Sequence, residues 1–229
     1  YFENISYEYP RHISELQIAT PKVKASPRPH QVIAINNVVN GLVENDRGQL
    51  IMACGTGKTF TTLWIKERLE AQTTLVLLPS LSLLSQTMRE WVWGAGQKFE
   101  TLAVCSDPTV GKSKSDEDIS TSEVGIVTWQ VDEIKKFLKS DGPRVVFCTY
   151  HSSQLIQEAQ KDRDLTAFDL VVCDEAHRCA GHADASFATV LHDEKIRANK
   201  RLFTTATPRF YGKSVQSAAE VRGVEVFSM

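Results

Sequence analysis

Two short runs hold residues whose types and spacing could carry out phosphate chemistry. The first is Leu50-Ile-Met-Ala-Cys-Gly-Thr-Gly-Lys-Thr-Phe60. A β-rich apolar run (Leu50, Ile51, Met52) feeds a glycine-containing turn, and a helix-prone segment starts at Lys58. Backbone N–H groups in such a turn converge on a phosphate, with the positive end of the helix dipole behind them. Lys58 is placed to reach β- and γ-phosphates, and the Thr59 hydroxyl to ligate Mg²⁺. Gly55 and Gly57, on either side of Thr56, supply positive φ and let the backbone approach closely. Met52 stands where the general G-x-x-x-x-G-K-[ST] pattern has glycine, so the match falls short by one residue. Alone, this run could be a chance Gly-Lys-Thr in a loop.

The second run is Phe168-Asp-Leu-Val-Val-Cys-Asp-Glu-Ala-His177. Its continuous apolar stretch reads as a strand buried on both faces, as in a parallel sheet. Ligands of open α/β sheets bind beyond the carboxyl ends of the strands, which places Asp174 and Glu175 beside the phosphate turn. Asp174 suits the hydration shell of a divalent cation, and Glu175 the orientation and deprotonation of a water. An acidic helix N-cap after a core strand is the bland alternative. An acid pair downstream of a phosphate turn, in the order a nucleotidase needs, favours the chemical reading.

Positioning these residues requires alternating strands and helices. Helical spacing runs over 32–43 and ends near Gly41. A strand at 49–54 leads to a helix at 58–71, a strand at 74–78 to a helix at 81–93, and a further strand covers 99–105. Residues 107–123 are polar and read as a mobile loop. Strands at 125–128 and 144–149 flank a helix at 131–139. The segment 151–160, the acidic strand, a short helix near 187–192 and a strand at 201–204 complete the series. Such alternation implies parallel crossovers and a three-layer α/β sandwich with a mostly parallel central sheet. Residues 1–27, with Pro10, Pro21 and Pro27, read as an extended connector, and 28–229 as one domain.

The chain has 229 residues, 42% hydrophobic and 24% charged, ordinary for a globular domain that needs no disulfide or metal staple. A formal net charge of −2 means that any nucleic-acid contact rests on a local stripe or on other parts of the protein. Five cysteines, an odd number without a Cys-x-x-Cys pair, point to a reducing compartment and a cytoplasmic protein. His177, Cys179 and His182 fall short of a zinc ligand set. The polar N-terminus lacks the apolar core of a signal peptide, and no run approaches the length of a membrane span. The chain begins without methionine and reads as part of a longer polypeptide.

Taken together, Met52-Ala-Cys-Gly-Thr-Gly-Lys-Thr59, Asp174-Glu-Ala-His177 and Thr205-Ala-Thr-Pro-Arg209 resemble motifs I, II and III of superfamily 2 helicases and translocases. Arg28-Pro-His-Gln31 resembles the adenine-reading glutamine motif. Leu77-Leu-Pro-Ser-Leu-Ser-Leu-Leu-Ser-Gln86 resembles motif Ia, and Phe147-Cys-Thr-Tyr-His-Ser152 the strand-end motif that follows it. The matches run in family order from residue 28 to 209. Leu83-Leu-Ser-Gln-Thr-Met-Arg-Glu-Trp91, Asp174-Glu-Ala-His-Arg178 and Leu202-Phe-Thr-Thr-Ala-Thr-Pro-Arg-Phe-Tyr211 are worded like the motor of single-polypeptide (Type ISP) restriction-modification enzymes.

That resemblance implies the first RecA-like domain of a P-loop motor using ATP and Mg²⁺. It implies catalytic roles for Lys58, Asp174, Glu175 and His177, the last for coupling more than chemistry. Nucleotide contacts fall to Arg28, Gln31, Gly55, Thr56, Gly57, Lys58 and Thr59, and Mg²⁺ to Thr59 and Asp174. Thr205, Ala206 and Thr207 couple nucleotide state to nucleic acid. Pro79, Ser80, Gln86, Thr149 and Tyr150 touch the phosphate–sugar backbone, while Leu81 replaces the frequent motif Ia arginine. A cluster of Lys195, Arg197, Lys200 and Arg201 reads as a solvated helix face, with a DNA patch as the alternative. Trp91 and Trp93 read as packing residues.

The implied function is translocation along double-stranded DNA, with a second RecA-like domain and nuclease and methyltransferase modules in a longer parent and no membrane partner. Motifs IV to VI do not occur here, so weak Mg·ATP binding and slow turnover are expected of this chain alone; γ-phosphate arginines contribute on the order of 10³–10⁵ in rate. A strand-separating DNA or RNA helicase shares every motif. A nucleotide-gated binding module without turnover is the remaining alternative, disfavoured by intact Lys58, Asp174 and Glu175.

Overall fold

The computed structural model describes residues 24–105, 126–176 and 189–207. Helix α1 (Pro29–Glu44) opens with proline at its first position, where the missing N–H costs nothing. It turns Gln31, Ile35, Val38 and Leu42 inward, an i, i+4, i+7 stripe. Strand β1 (Arg47–Ile51) leads through the phosphate turn into α2 (Lys58–Arg68), then β2 (Thr73–Leu78) and α3 (Leu81–Gly94). Strands β3 (Glu100–Val104) and β4 (Ile126–Thr128) precede α4 (Val131–Leu138) and β5 (Arg144–Thr149). A 3₁₀ turn (Tyr150–Ser152) runs into α5 (Ser153–Ala159) and β6 (Phe168–Cys173). Another 3₁₀ turn (Thr189–Leu191) and β7 (Ala198–Thr205) end the series.

Among the described residues, seven strands form one sheet in the order β1-β7-β6-β2-β5-β3-β4, and every pairing is parallel. The expectation of a mostly parallel sheet thus holds in full. The alternation within β2 builds the layers. Val76 and Leu78 join a core with α1, α2 and α3, in which Trp91 meets Phe147 edge to face at 5.6 Å. Leu75 and Leu77 join the opposite core with α4 and α5. Helices on both faces of a parallel sheet make the three-layer α/β sandwich.

The boundaries shift where tertiary contacts override local pattern. Strand β1 stops at Ile51, three residues before the sequence expectation, because the chain turns there into the phosphate loop. Helix α2 ends at Arg68, and Glu70 takes a left-handed φ of 53°. The segment 151–160 holds the end of a 3₁₀ turn and then α5. Of the expected helix near 187–192, the described part is the 3₁₀ turn. The loop expected at 107–123 lies outside the described residues, as do residues 1–23 of the expected connector. Lys24, at its end, donates to the Ala95 carbonyl at 2.7 Å.

The basic cluster is not a solvated helix face, and three of its four cations bond to backbone carbonyls. Lys200 and Arg201 lie in β7, which begins at Ala198. Arg201 is fully buried and donates to the carbonyls of Val190, Ile196 and Ala198, beside Asp193. Arg197 donates to the carbonyls of Gln160 and Asp162, and Lys200 to that of Asn45. These cations tie loops to the sheet; a charge count along the sequence cannot show that.

Candidate active site

Parallel pairing puts the carboxyl ends of all seven strands on one side, and β7 lies between β1 and β6. The phosphate turn after β1, the threonines at the end of β7 and the carboxylates after β6 therefore meet across two strand spacings. The turn itself has the expected backbone. Gly55 and Gly57 hold φ of 76° and 85°, and a Cβ on Gly57 would come within 2.4 Å of the Gln31 amide nitrogen. Helix α2 starts directly after Gly57, with no side-chain cap and no acidic residue in its first turn. Its first N–H groups lack intrahelical acceptors, so the positive end of the dipole is available to an anion.

Lys58 reaches back over this turn. Its Nζ lies 3.0 Å from Glu175 Oε1 and 3.6 Å from Asp174 Oδ1, and all three side chains are mostly buried. Residues 117 positions apart are thus in contact. Asp174 is fixed further by its N–H to the Leu77 carbonyl at 2.9 Å and by Thr204 Oγ1, which donates to Oδ1 at 2.7 Å. Thr204 is fully buried. Lys58, Thr59, Asp174 and Thr204 line one cleft with Thr62 and Thr87, floored by Val76, Leu78 and Val172. An uncapped helix start, a lysine, a threonine hydroxyl and a braced carboxylate brought together form a donor set whose chemistry suits a triphosphate with a divalent cation.

Gln31 is placed differently from its expected role. It is buried, and its amide donates to the carbonyls of Thr56 and Gly57 at 3.2 Å each and to Thr61 Oγ1 at 3.3 Å. Its oxygen accepts from the N–H of Arg28 at 2.8 Å. Here the side chain braces the phosphate turn; reading an adenine edge would require giving up these bonds. Arg28 precedes α1 and is exposed. His30, which the sequence reading passed over, brings Nε2 to 3.2 Å from the Thr56 carbonyl.

At the end of β7, the Thr205 carbonyl accepts the N–H of Met52, tying this strand to the start of the phosphate turn. Thr205 Oγ1 accepts from the N–H of Thr207 at 3.1 Å, and Ala206 between them is partly exposed. Thr204 escaped notice in the sequence because its value depends on β7 lying next to β6. Two threonines in succession at a strand end point to opposite faces, and that alternation was the available signal. His177, Cys179 and His182 lie outside the described residues, as do Pro208 and Arg209.

The nucleic-acid set is not brought together as an exposed surface. Pro79, Thr149 and Tyr150 are buried. Thr149 Oγ1 donates to Ser152 Oγ at 3.1 Å, and the Tyr150 hydroxyl to the Asp174 carbonyl at 2.9 Å. Ser80 caps α3 through the N–H of Leu83. Gln86 is exposed and donates to Glu90 Oε1. Thr149 and Tyr150 thus use their side chains inside the protein. Trp91 is a core residue whose Nε1 donates to the Thr59 carbonyl at 3.0 Å, while Trp93 is partly exposed and packs edge-on to Phe60.

Known proteins resemble this chain in sequence and fold. A model of the family described as Type III restriction enzyme, res subunit, matches residues 24–210. The structure of a nuclease-deletion mutant of the Type ISP restriction-modification enzyme LlaGI in complex with a DNA substrate mimic is 36% identical, with a TM-score of 0.70. It covers 82% of this chain and 18% of its own. The ATP-dependent Type ISP enzyme LlaBIII bound to DNA is likewise 36% identical, with a TM-score of 0.67, over 82% of this chain and 13% of its own. A protein of African swine fever virus named as a helicase is 32% identical over 185 residues, 80% of this chain and 19% of the relative. The chain thus spans less than a fifth of the length of each. No helix among the described residues is long and apolar enough to cross a membrane.

Proposed function

The chain belongs to the family of Type III restriction enzyme res subunits, within the superfamily 2 helicases and translocases and with Type ISP enzymes among its relatives, and on that premise we propose that it is the ATP-hydrolysing half of a motor that moves along double-stranded DNA. The observation that carries this reading is the meeting of Lys58 with Asp174 and Glu175 at the mouth of an uncapped helix. Mg·ATP would supply the phosphoanhydride bond to be hydrolysed and a divalent charge to offset that of the phosphates.

The residues act around that bond. Gly55, Thr56 and Gly57 shape a turn whose N–H groups cradle phosphate oxygens. Lys58 exchanges its carboxylate partners for the β- and γ-phosphates. Thr59 and Asp174 would hold the cation, with Asp174 kept in orientation by Thr204. Glu175, released from Lys58, orients the attacking water and takes its proton. Thr205, Ala206 and Thr207 relay the nucleotide state, since the Thr205 carbonyl grips the first residue of the phosphate turn. We assign His177 to the same relay. Arg28 and Gln31 border the nucleotide from the α1 side, and Gln31 holds the turn in shape.

Duplex DNA is the proposed track, supported by the DNA-bound Type ISP relatives. Ser80 and Gln86 are the chain's proposed backbone contacts among the described residues. A second RecA-like domain and nuclease and methyltransferase modules are proposed for a longer polypeptide in the cytoplasm. The viral helicase relative supports strand separation as a second reading. A triplex-displacement assay on the full-length protein separates the two. Release of the third strand with an intact duplex supports translocation, and single-stranded product supports unwinding.

A further inference from the structure

The two carboxylates are held in different ways. Asp174 has its side chain braced by Thr204 and its N–H by Leu77. Glu175 has a φ of 50°, in the left-handed region that a side chain with a Cβ enters only at a cost. Its carboxylate pairs with Lys58, and that pairing ends when the lysine turns to phosphate. A constraint on the backbone of Glu175 does not depend on that pairing and persists through the exchange.

The peptide that joins Asp174 to Glu175 sets the φ of Glu175, and its carbonyl accepts the Tyr150 hydroxyl at 2.9 Å. Tyr150 is fully buried at the end of β5, and reaches past β2 to the end of β6. A strained backbone at a site persists only when its surroundings over-determine it. The tyrosine hydroxyl supplies such a constraint at the peptide that carries the strain.

We infer that Tyr150 is a positioning residue for Glu175: its hydroxyl locks the 174–175 peptide plane and so aims the Glu175 carboxylate at the attacking water. The inference rests on the proposed role of Glu175 as the general base. Tyr150→Phe keeps the buried ring and removes only the hydroxyl, so the interior remains filled.

The test compares wild type, Y150F, E175Q and the double variant in the full-length protein. Y150F is expected to lower kcat on the order of 10- to 100-fold, the penalty of a small misplacement, with the KM for Mg·ATP and the melting temperature nearly unchanged. In the nucleotide-free protein, amide hydrogen exchange at Glu175 and Ala176 is expected to quicken while Val171 and Val172 in β6 stay protected. The double variant is expected to be no slower than E175Q, because the hydroxyl acts through that carboxylate. Unchanged kcat and exchange in Y150F, loosening of β6 as a whole, or an additive loss in the double variant would overturn the inference while leaving the role of Glu175 standing. Wild-type turnover by E175Q would overturn that role and the inference with it.

Discussion

Thr204 Oγ1 donates to Asp174 Oδ1 at 2.7 Å, joining adjacent parallel strands at the point where the carboxylate proposed to hold the cation leaves the sheet. The bond falls on the same oxygen that faces Lys58, so the proposed cation contact is assigned to Oδ2. Groups that orient metal-binding side chains typically change metal affinity about 10–100-fold when removed. Thr204→Val, nearly the same shape, is expected to weaken the Mg²⁺ dependence of nucleotide binding by that amount. Thr204→Ser is expected to retain it. Mg²⁺ titrations at fixed nucleotide measure both; equal Mg²⁺ requirements in wild type and T204V would remove the assigned role.

Glu175→Gln keeps the size and polarity of the side chain but removes its basicity. Turnover is expected to fall about 10²–10⁴-fold, the usual worth of a positioned general base. Binding of Mg·ATP is expected to persist or tighten, since an acid that paired with Lys58 has been neutralised. Single-turnover hydrolysis beside equilibrium binding resolves the two effects.

Arg201→Leu tests the claim that the basic cluster is internal scaffolding. The substitution leaves the carbonyls of Val190, Ile196 and Ala198 without their donor. Orphaned buried acceptors and the lost pairing are expected to cost about 2–4 kcal/mol of stability. Denaturant unfolding reads that loss. The affinity of the folded fraction for DNA is expected to stay at the wild-type value, whereas a DNA patch would lose it.

Lys66 is buried in α2 with its ammonium 5.1 Å from the Phe99 ring centre. Burial lowers its pKa, opposed by the neighbouring charge of Glu67. The folded state therefore holds the Lys66 proton less tightly than the unfolded chain does, and the penalty is full below the lowered folded pKa. That penalty fades as pH rises from there to the unfolded value of 10.5. Lys66→Met is expected to stabilise the protein at neutral pH, with an advantage that shrinks toward pH 10.5. Urea midpoints for the two proteins across that range provide the check.

The sequence was most legible where chemistry is written in consecutive residues. The phosphate turn and the acid pair each follow an apolar strand, and strand ends are where open α/β sheets place their ligands. Those two runs, with the alternation of elements, were enough for the layers and for the meeting of Lys58 with the carboxylates. What could not be seen depends on which strands are neighbours. Thr204 matters because β7 inserts between β1 and β6, and Tyr150 because β5 and β6 flank β2. Arg201 looks like surface charge until the 3₁₀ turn before β7 folds its carbonyls over it. Gln31 showed its position in the sequence but not its bonds, which come from the turn it packs against.

The proposed sharing of one nucleotide by Lys58 and the twin carboxylates is tested most directly by equilibrium titration with a fluorescent ATP analogue. The wild-type chain is expected to show saturable binding that requires Mg²⁺. Lys58→Ala is expected to weaken it on the order of 10- to 100-fold, as the loss of a charged hydrogen-bonding partner to phosphate implies. No saturable binding by the wild type, or equal affinity in K58A, would contradict the account.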